Sequence, residues 1–165
     1  MNATYKRVVT LLWTILWASM ALHSPSLAQT SHGTDVAVVV NSDTPVADLS
    51  LSEVRKVMLG ERQYWSSKLP VVLLIRAPAA RERDVVLRVI YQMSEAQFKQ
   101  YWVAKIFRAE AASPPRIVYS NDMQYELLTA LPGAIAFVDS RNIRPGVKVL
   151  RVDGRLPGEK DYPLR

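Results

Sequence analysis

Residues 76 to 84 read Arg-Ala-Pro-Ala-Ala-Arg-Glu-Arg-Asp. They follow an apolar run, Val71-Val72-Leu73-Leu74-Ile75, and precede an apolar-periodic one, Val85-Val86-Leu87-Arg88-Val89-Ile90. A strand that empties into a helix start beside arginines is a place for an anion. The orphan N–H groups around Ala79 to Arg81 and the positive end of the helix dipole would face it, and Arg76 or Arg81 would add charge-assisted hydrogen bonds. The same residues also fit a solvated first turn. Glu82 and Asp84 satisfy the dipole there and repel an incoming anion, and no glycine lets the backbone wrap a phosphate closely. Both readings stand at this level.

Two further helix starts carry hydroxyls. Ser50 and Ser52 stand beside Arg55 and Lys56, but Ser50-Leu51-Ser52-Glu53 is also a capping box, which accounts for Ser50 structurally. Ser120-Asn121-Asp122 is the other, with Asp122 in its first turn. The aromatic pairs Tyr64-Trp65 and Tyr101-Trp102 could stack an organic ligand. Tyr101 and Trp102 fall within an amphipathic helix and read as core, whereas Trp65 sits in a loop at a sheet edge.

The inventory for catalysis is thin. The sequence has no cysteine and two histidines, His23 and His32, both near the N-terminus. That rules out thiol chemistry and leaves no material for a histidine relay or a zinc cluster. Glu53, Glu82, Asp84, Glu95 and Asp139 are scattered, and Ser94, Ser120 and Ser140 have no partner base. The expectation is a non-enzyme that uses no cofactor and no metal.

The elements that would position these residues alternate. Asp35 to Val40 is a continuous β-branched run, the mark of a strand buried on both faces. A helix follows the Ser50 box and ends at Gly60. Leu69 to Ile75 is a second strand, and a helix is predicted from about Ala79 to Gln92 with Pro78 near its first turn. Ser94-Glu95-Ala96-Gln97 is a second capping box opening a helix that ends near Phe107. Ile117 to Tyr119 is short and extended. The helix after Ser120 turns Met123, Leu127, Leu128 and Leu131 inward and stops at Pro132-Gly133. Ala134 to Val138 and Val147 to Val152 are the last strands. Apolar strands alternating with amphipathic helices define an α/β fold with a mostly parallel sheet flanked by helices.

The N-terminus reads as a secretory signal. Lys6-Arg7 precede an uncharged apolar stretch from Val8 to Leu22, and Ser26 and Ala28 sit at −3 and −1 of a cleavage site after residue 28. The apolar stretch is shorter than the roughly 20 residues a spanning helix needs. Residues 1–28 are therefore expected to be removed, leaving 29–165 as one exported domain, periplasmic or secreted, with no membrane insertion. Without disulfides it must rest on its core, which is feasible because a chain of this size buries roughly two-thirds of its surface. The formal net charge is +6. The excess is spread along the chain, with no basic run and no nucleic-acid motif, so anionic small partners are favoured and nucleic acid is not expected.

Several stretches in order resemble the phosphate-binding proteins of ABC transporters. These are Val36-Ala-Val-Val-Val-Asn41, Pro45-Val46, Leu49-Ser50-Leu51, Met58-Leu59-Gly60 with Trp65, and Val71-Val72-Leu73-Leu74-Ile75-Arg76. Phe98, Tyr101-Trp102, Phe107, Pro114-Pro115, Pro132-Gly133-Ala134-Ile135-Ala136-Phe137-Val138, Val149-Leu150-Arg151-Val152-Asp153-Gly154 and Tyr162-Pro163-Leu164 continue the likeness, which covers roughly Asp35 to Leu164. It implies a type II periplasmic-binding-protein-like fold and contact with inorganic phosphate or a similar oxyanion. It also implies service to a membrane transporter. Only Arg76 carries over as a ligand residue. In the family, an acidic residue and a Ser-Gly-Thr loop follow that arginine, whereas Ala-Pro-Ala-Ala-Arg follows here. The resemblance also implies one lobe of a two-lobed fold. The anion contacts expected are Arg76, Arg81, Ser50 and Ser120, on a shallow surface that binds weakly. The alternative is an envelope interaction or scaffold domain that has lost ligand binding.

Overall fold

The computed structural model describes residues 35–165 apart from 66 and 67. The expected signal segment and His32 lie outside the described residues. The strands are β1 (Val36–Asn41), β2 (Asp48–Leu49), β3 (Val72–Arg76), β4 (Arg116–Val118), β5 (Ala134–Asp139), β6 (Val147–Val149) and β7 (Arg151–Val152). Among the described residues five of them make one sheet in the order β4-β3-β5-β1-β6, and β2 pairs with β7 in a parallel ribbon. β3 runs parallel to both β4 and β5, whereas β1 is antiparallel to both β5 and β6. All strands of the large sheet except β1 therefore point the same way, which is the mostly parallel sheet expected.

Helices cover both faces. α1 (Leu51–Met58), the pair formed by α2 (Arg81–Val85) and a π-helical continuation (Val86–Tyr91), and α3 (Glu95–Phe107) lie on one side. α4 (Asn121–Ala130) lies on the other. β1 explains the arrangement. Its alternate residues Val36, Val38 and Val40 join the core with Val57, Met58, Ile90, Phe98 and Trp102, while Ala37 and Val39 join Tyr125 and Leu128. Successive side chains on a strand point to opposite faces, so an unbroken apolar run demands a cover on each. Each fully buried valine or leucine contributes on the order of 1.5–3 kcal/mol.

Local signals set the helix ends. Both capping boxes form: Ser50 with Glu53, and Ser94 with Gln97. Gly60, at φ +67°, takes the left-handed position after Leu59 and donates to the Val57 carbonyl (3.0 Å). Arg55 of α1 donates to the Val89 carbonyl through Nη2 (2.9 Å), tying α1 to the π-helical turn.

Three expectations need correction. The helix placed from Ala79 begins at Arg81, because Ala79 is itself left-handed at φ +70° and turns the chain out of β3. Pro78 accordingly precedes the cap residue Ala80 instead of lying in the first turn. The predicted strand Val147–Val152 is two strands, β6 in the large sheet and β7 in the ribbon, divided at buried Leu150, whose N–H still donates to Val38 (2.9 Å). On α4, Met123 is exposed, and Gln124 and Tyr125 are buried instead. Gln124 is tolerated there because its amide donates to the Phe137 carbonyl (2.7 Å).

Pro132-Gly133 does more than stop α4. Gly133 sits at φ +79°, and a Cβ there would come within 2.2 Å of the Pro70 carbonyl oxygen. Its own carbonyl accepts from Val72 N (3.0 Å) and from the Trp65 indole (2.9 Å). The β3–β5 start therefore requires a bare backbone. Gly133→Ala should lower stability by about 2–4 kcal/mol through left-handed strain and backbone clash; a urea-melt difference below about 0.5 kcal/mol would refute the close approach.

Candidate functional site

Because β3, β4 and β5 run parallel, their C-terminal ends collect on one edge. Arg76 is in register with Val118, and Ala77 N donates to the Val118 carbonyl (2.9 Å). Two residues after Val118, Ser120 caps α4, its Oγ accepting from Met123 N (3.1 Å). α2 starts after the turn that leaves β3, and Arg81 Nη1 lies 3.6 Å from the Asp139 carboxylate at the end of β5. Three residues singled out in the sequence, Arg76, Arg81 and Ser120, thus belong to this edge.

Ser50 has other attachments. Its Oγ donates to Glu53 Oε2 (2.7 Å) and stands 3.0 Å from Ser52 Oγ, and its helix starts from the ribbon, with Leu51 N donating to Asp153 (3.0 Å). The two caps also differ in what they leave over. The Ser50 hydroxyl proton has an acceptor in Glu53, which helps hold the Glu53 carboxyl below its ordinary value. The Ser120 hydroxyl receives a hydrogen bond, and its proton has no acceptor among the described residues.

The third arginine of the opening stretch has a structural task. Arg83 is 2% exposed. Nε and Nη2 form a fork on the Glu95 carboxylate, the latter at 2.9 Å, and Nη1 donates to the Arg76 carbonyl (2.8 Å). Its guanidinium also lies 5.0 Å from the Phe98 ring centre. Every face of a buried cation is thereby matched, and the end of β3 is fastened to the start of α3. The expectation that charges in this turn face solvent fails at Arg83. The pair is 12 residues apart and crosses a helix boundary, so no sequence spacing announces it.

Arg76 has no such set of partners. Its Nε and Nη1 are shielded from solvent and find no acceptor among the described residues. A charged donor enclosed without an acceptor is costly, of the order of 1–3 kcal/mol or more.

The sequence also left Arg141 unremarked. Asp139 accepts from Arg141 N and Nε (both 2.9 Å) and Nη2 (2.6 Å). These bonds hold the Asp139 carboxyl below its ordinary value despite its burial, with Arg81 adding charge. An acid followed two residues later by arginine at a strand end is an Asx-turn pattern, and this was the available signal. Beyond it, Arg144 pairs with Asp122 (2.7 Å) and lies over Tyr125. Tyr119 (73% exposed), Met123 and Ile143 rim this end of the molecule.

Of the aromatic pairs, Trp102 and Trp65 are buried and Tyr64 is exposed. Tyr101 is half-buried, its hydroxyl donating to the Leu59 carbonyl (2.7 Å). Among the described residues no group of acidic, histidine or cysteine side chains has the makings of a metal site, and no helix is long and apolar enough to cross a membrane.

This geometry is an α/β fold with a mostly parallel sheet, helices on both faces and basic groups at the sheet's C-terminal edge. No family model and no curated protein matches the sequence. Solved structures do match. An ABC-type phosphate transport receptor from Vibrio cholerae superposes with a TM-score of 0.60 at 17% identity, covering 74% of this chain and 48% of that one. PstS from Borrelia burgdorferi gives 0.54 at 16%, covering 74% and 49%, and a phosphate binding protein from Stenotrophomonas maltophilia gives 0.54 at 16%, covering 75% and 40%. The chain spans about half the length, or less, of these proteins.

The Arg83–Glu95 pair yields a signed pH dependence. Hydrogen bonds from Arg83 hold the Glu95 carboxyl below its ordinary value. The stabilisation is therefore complete above the unfolded carboxyl pKa of about 4.3 and is lost as pH falls through the lower folded value. Glu95→Gln should cost about 1–2 kcal/mol at pH 7, less than a fully enclosed pair because the Glu95 side chain is 39% exposed. Urea midpoints should converge toward pH 3; an equal gap at pH 7 and pH 3 would rule the charge pair out.

Proposed function

We propose that residues 29–165 form an exported solute-binding domain, one lobe of a phosphate-binding-protein-like fold, that contacts phosphate or a similar oxyanion weakly at the C-terminal edge of β3, β4 and β5. The observation that carries the reading is Arg76, whose enclosed Nε and Nη1 have no acceptor among the described residues. An oxyanion would accept from such a guanidinium, and the unengaged Ser120 proton is a second donor on the same edge. Arg81 adds positive charge beyond Asp139. The fold likeness to phosphate receptors supports the ligand class. Ser50 drops to a capping role in this reading.

The same geometry argues for weakness. Among the described residues no second wall faces this edge, so a ligand there stays partly solvated, where the effective dielectric is high and a unit-charge contact at 4 Å is worth about 1–4 kcal/mol before the cost of ordering. Binding near the millimolar level, about −4 kcal/mol, follows. The work is recognition and not catalysis. Export through the N-terminal segment places the domain in the periplasm or outside the cell, where a membrane transporter or an envelope protein is the natural partner.

A second reading is an interaction domain that no longer needs its ligand. Its support is the exposed rim of Tyr119, Met123 and Ile143 beside the arginines. Titration calorimetry separates the two. The first reading expects saturable heat with phosphate or sulfate, weakened at least about tenfold in Arg76→Ala and by added salt as screening grows. No heat up to about 10 mM, or an unchanged affinity in Arg76→Ala, would reject it.

A further inference from the structure

The opposite end of β3 holds a separate cavity of about 250 Å³. It opens beside the N-terminal ends of β3 and β4. Val72 and Leu73 of β3 line it, so roughly 10 Å of strand, through buried Leu74 and Ile75, separates it from Arg76 at the oxyanion edge. Its floor is apolar, from Val71 to Leu73 and the Trp102 ring. Its walls carry Arg62, Tyr64 and Arg116.

The walls are fixed by backbone and side-chain bonds. Gln63 Nε2 donates to the Glu110 carbonyl (2.8 Å), joining the Tyr64 loop to the segment before Pro114. Val71 N donates to the Gln63 carbonyl (2.9 Å), and Tyr64 bridges to Pro70. Gly60 lets the Trp102 ring close the floor, since a Cβ there would lie 3.1 Å from Cη2. A cavity held this way is formed before any ligand arrives.

Its chemistry is one-sided. No carboxylate lines it among the described residues. Arg62 donates through Nε to the Tyr64 carbonyl (3.3 Å) and lies over the Trp65 ring, which leaves Nη1 and Nη2 without hydrogen-bond acceptors there. Arg116, on the sheet-edge strand β4, is exposed and makes no side-chain hydrogen bond or ion pair among the described residues. Two guanidinium groups thus flank an apolar, aromatic-walled space. The volume lies just under the roughly 300–1,000 Å³ of pockets that take drug-sized ligands, so the occupant is smaller.

We infer that this cavity binds a small monocarboxylate with a flat apolar body, an aromatic or short branched acid of about ten heavy atoms. The carboxylate meets Arg62 and Arg116, whose planar forks suit its two oxygens. The body lies on the Trp102 floor against Tyr64. The site is independent of the oxyanion edge and stands whether or not phosphate binds there.

Benzoate is the probe, with benzyl alcohol as its neutral counterpart. Titration calorimetry on the purified protein should give saturable binding of benzoate, with benzyl alcohol at least about tenfold weaker. The Trp102 indole N–H signal should move in NMR spectra as the site fills. Arg116→Ala should weaken benzoate at least about fivefold with an unchanged circular dichroism spectrum, because the side chain is exposed. Arg62→Ala should do the same, whereas Arg76→Ala, at the far edge, should leave benzoate binding intact. No saturation below about 10 mM, equal binding of benzyl alcohol, or full affinity in both cavity variants overturns the assignment.

Discussion

A strand with no exposed side chain must be covered on both faces, and the rest of the molecule follows from that demand at β1. Val36 to Val40 are all fully buried. β5 pairs along one edge, and β6, Leu150 and Leu164 bond along the other, so neither edge of the strand is open either. Burial on one face gathers α1, the α2 segment with its π-helical turn, and α3; burial on the other gathers α4. The sheet between them holds its neighbours' ends in fixed positions, and those ends are where the polar chemistry lies.

The two ends of β3 differ for a physical reason. At its C-terminal end, parallel neighbours bring Arg76, Val118 and Asp139 to one edge, and two helices start there. Charges at this edge are mostly matched: Arg83 by Glu95, and Asp139 by Arg141 and Arg81. Arg76 stands apart: its carbonyl accepts from Arg83, but its own Nε and Nη1 find no acceptor among the described residues. At the N-terminal end, Gly133 and Gly60 let backbone and indole approach closely, and the space between the loops stays open and basic. One strand thus carries two unlike surfaces, separated by its own buried length.

Much of this was legible in the sequence. The β-branched run of β1 announced a two-faced strand, and the serine boxes at Ser50 and Ser94 announced their helices to the residue. Gly60 and Gly133 marked chain reversals that require positive φ. The likeness to phosphate receptors, read from scattered short motifs, agrees with the fold of the solved structures that superpose on the chain. The candidate site was legible in part. Arg76, Arg81 and Ser120 belong to one edge, but their neighbours in sequence gave no hint of which donors would remain unengaged. Arg141 carries little signal in the sequence because its role depends on Asp139, which reads there as one more scattered acid.

What the sequence alone determined is what acts over a few residues: apolar periodicity, caps and left-handed glycines. What only tertiary structure decided is what depends on distant partners. The reversal of β1 against β5 and β6 is one case, since buried strands read alike in either direction. The division of the last strand between two sheets is another. So is the fate of three arginines in nine residues, with Arg83 enclosed on Glu95, Arg81 beside Asp139, and Arg76 left with donors to offer. A side chain's type sets which bonds it can make, and only the packed chain sets which of them are made.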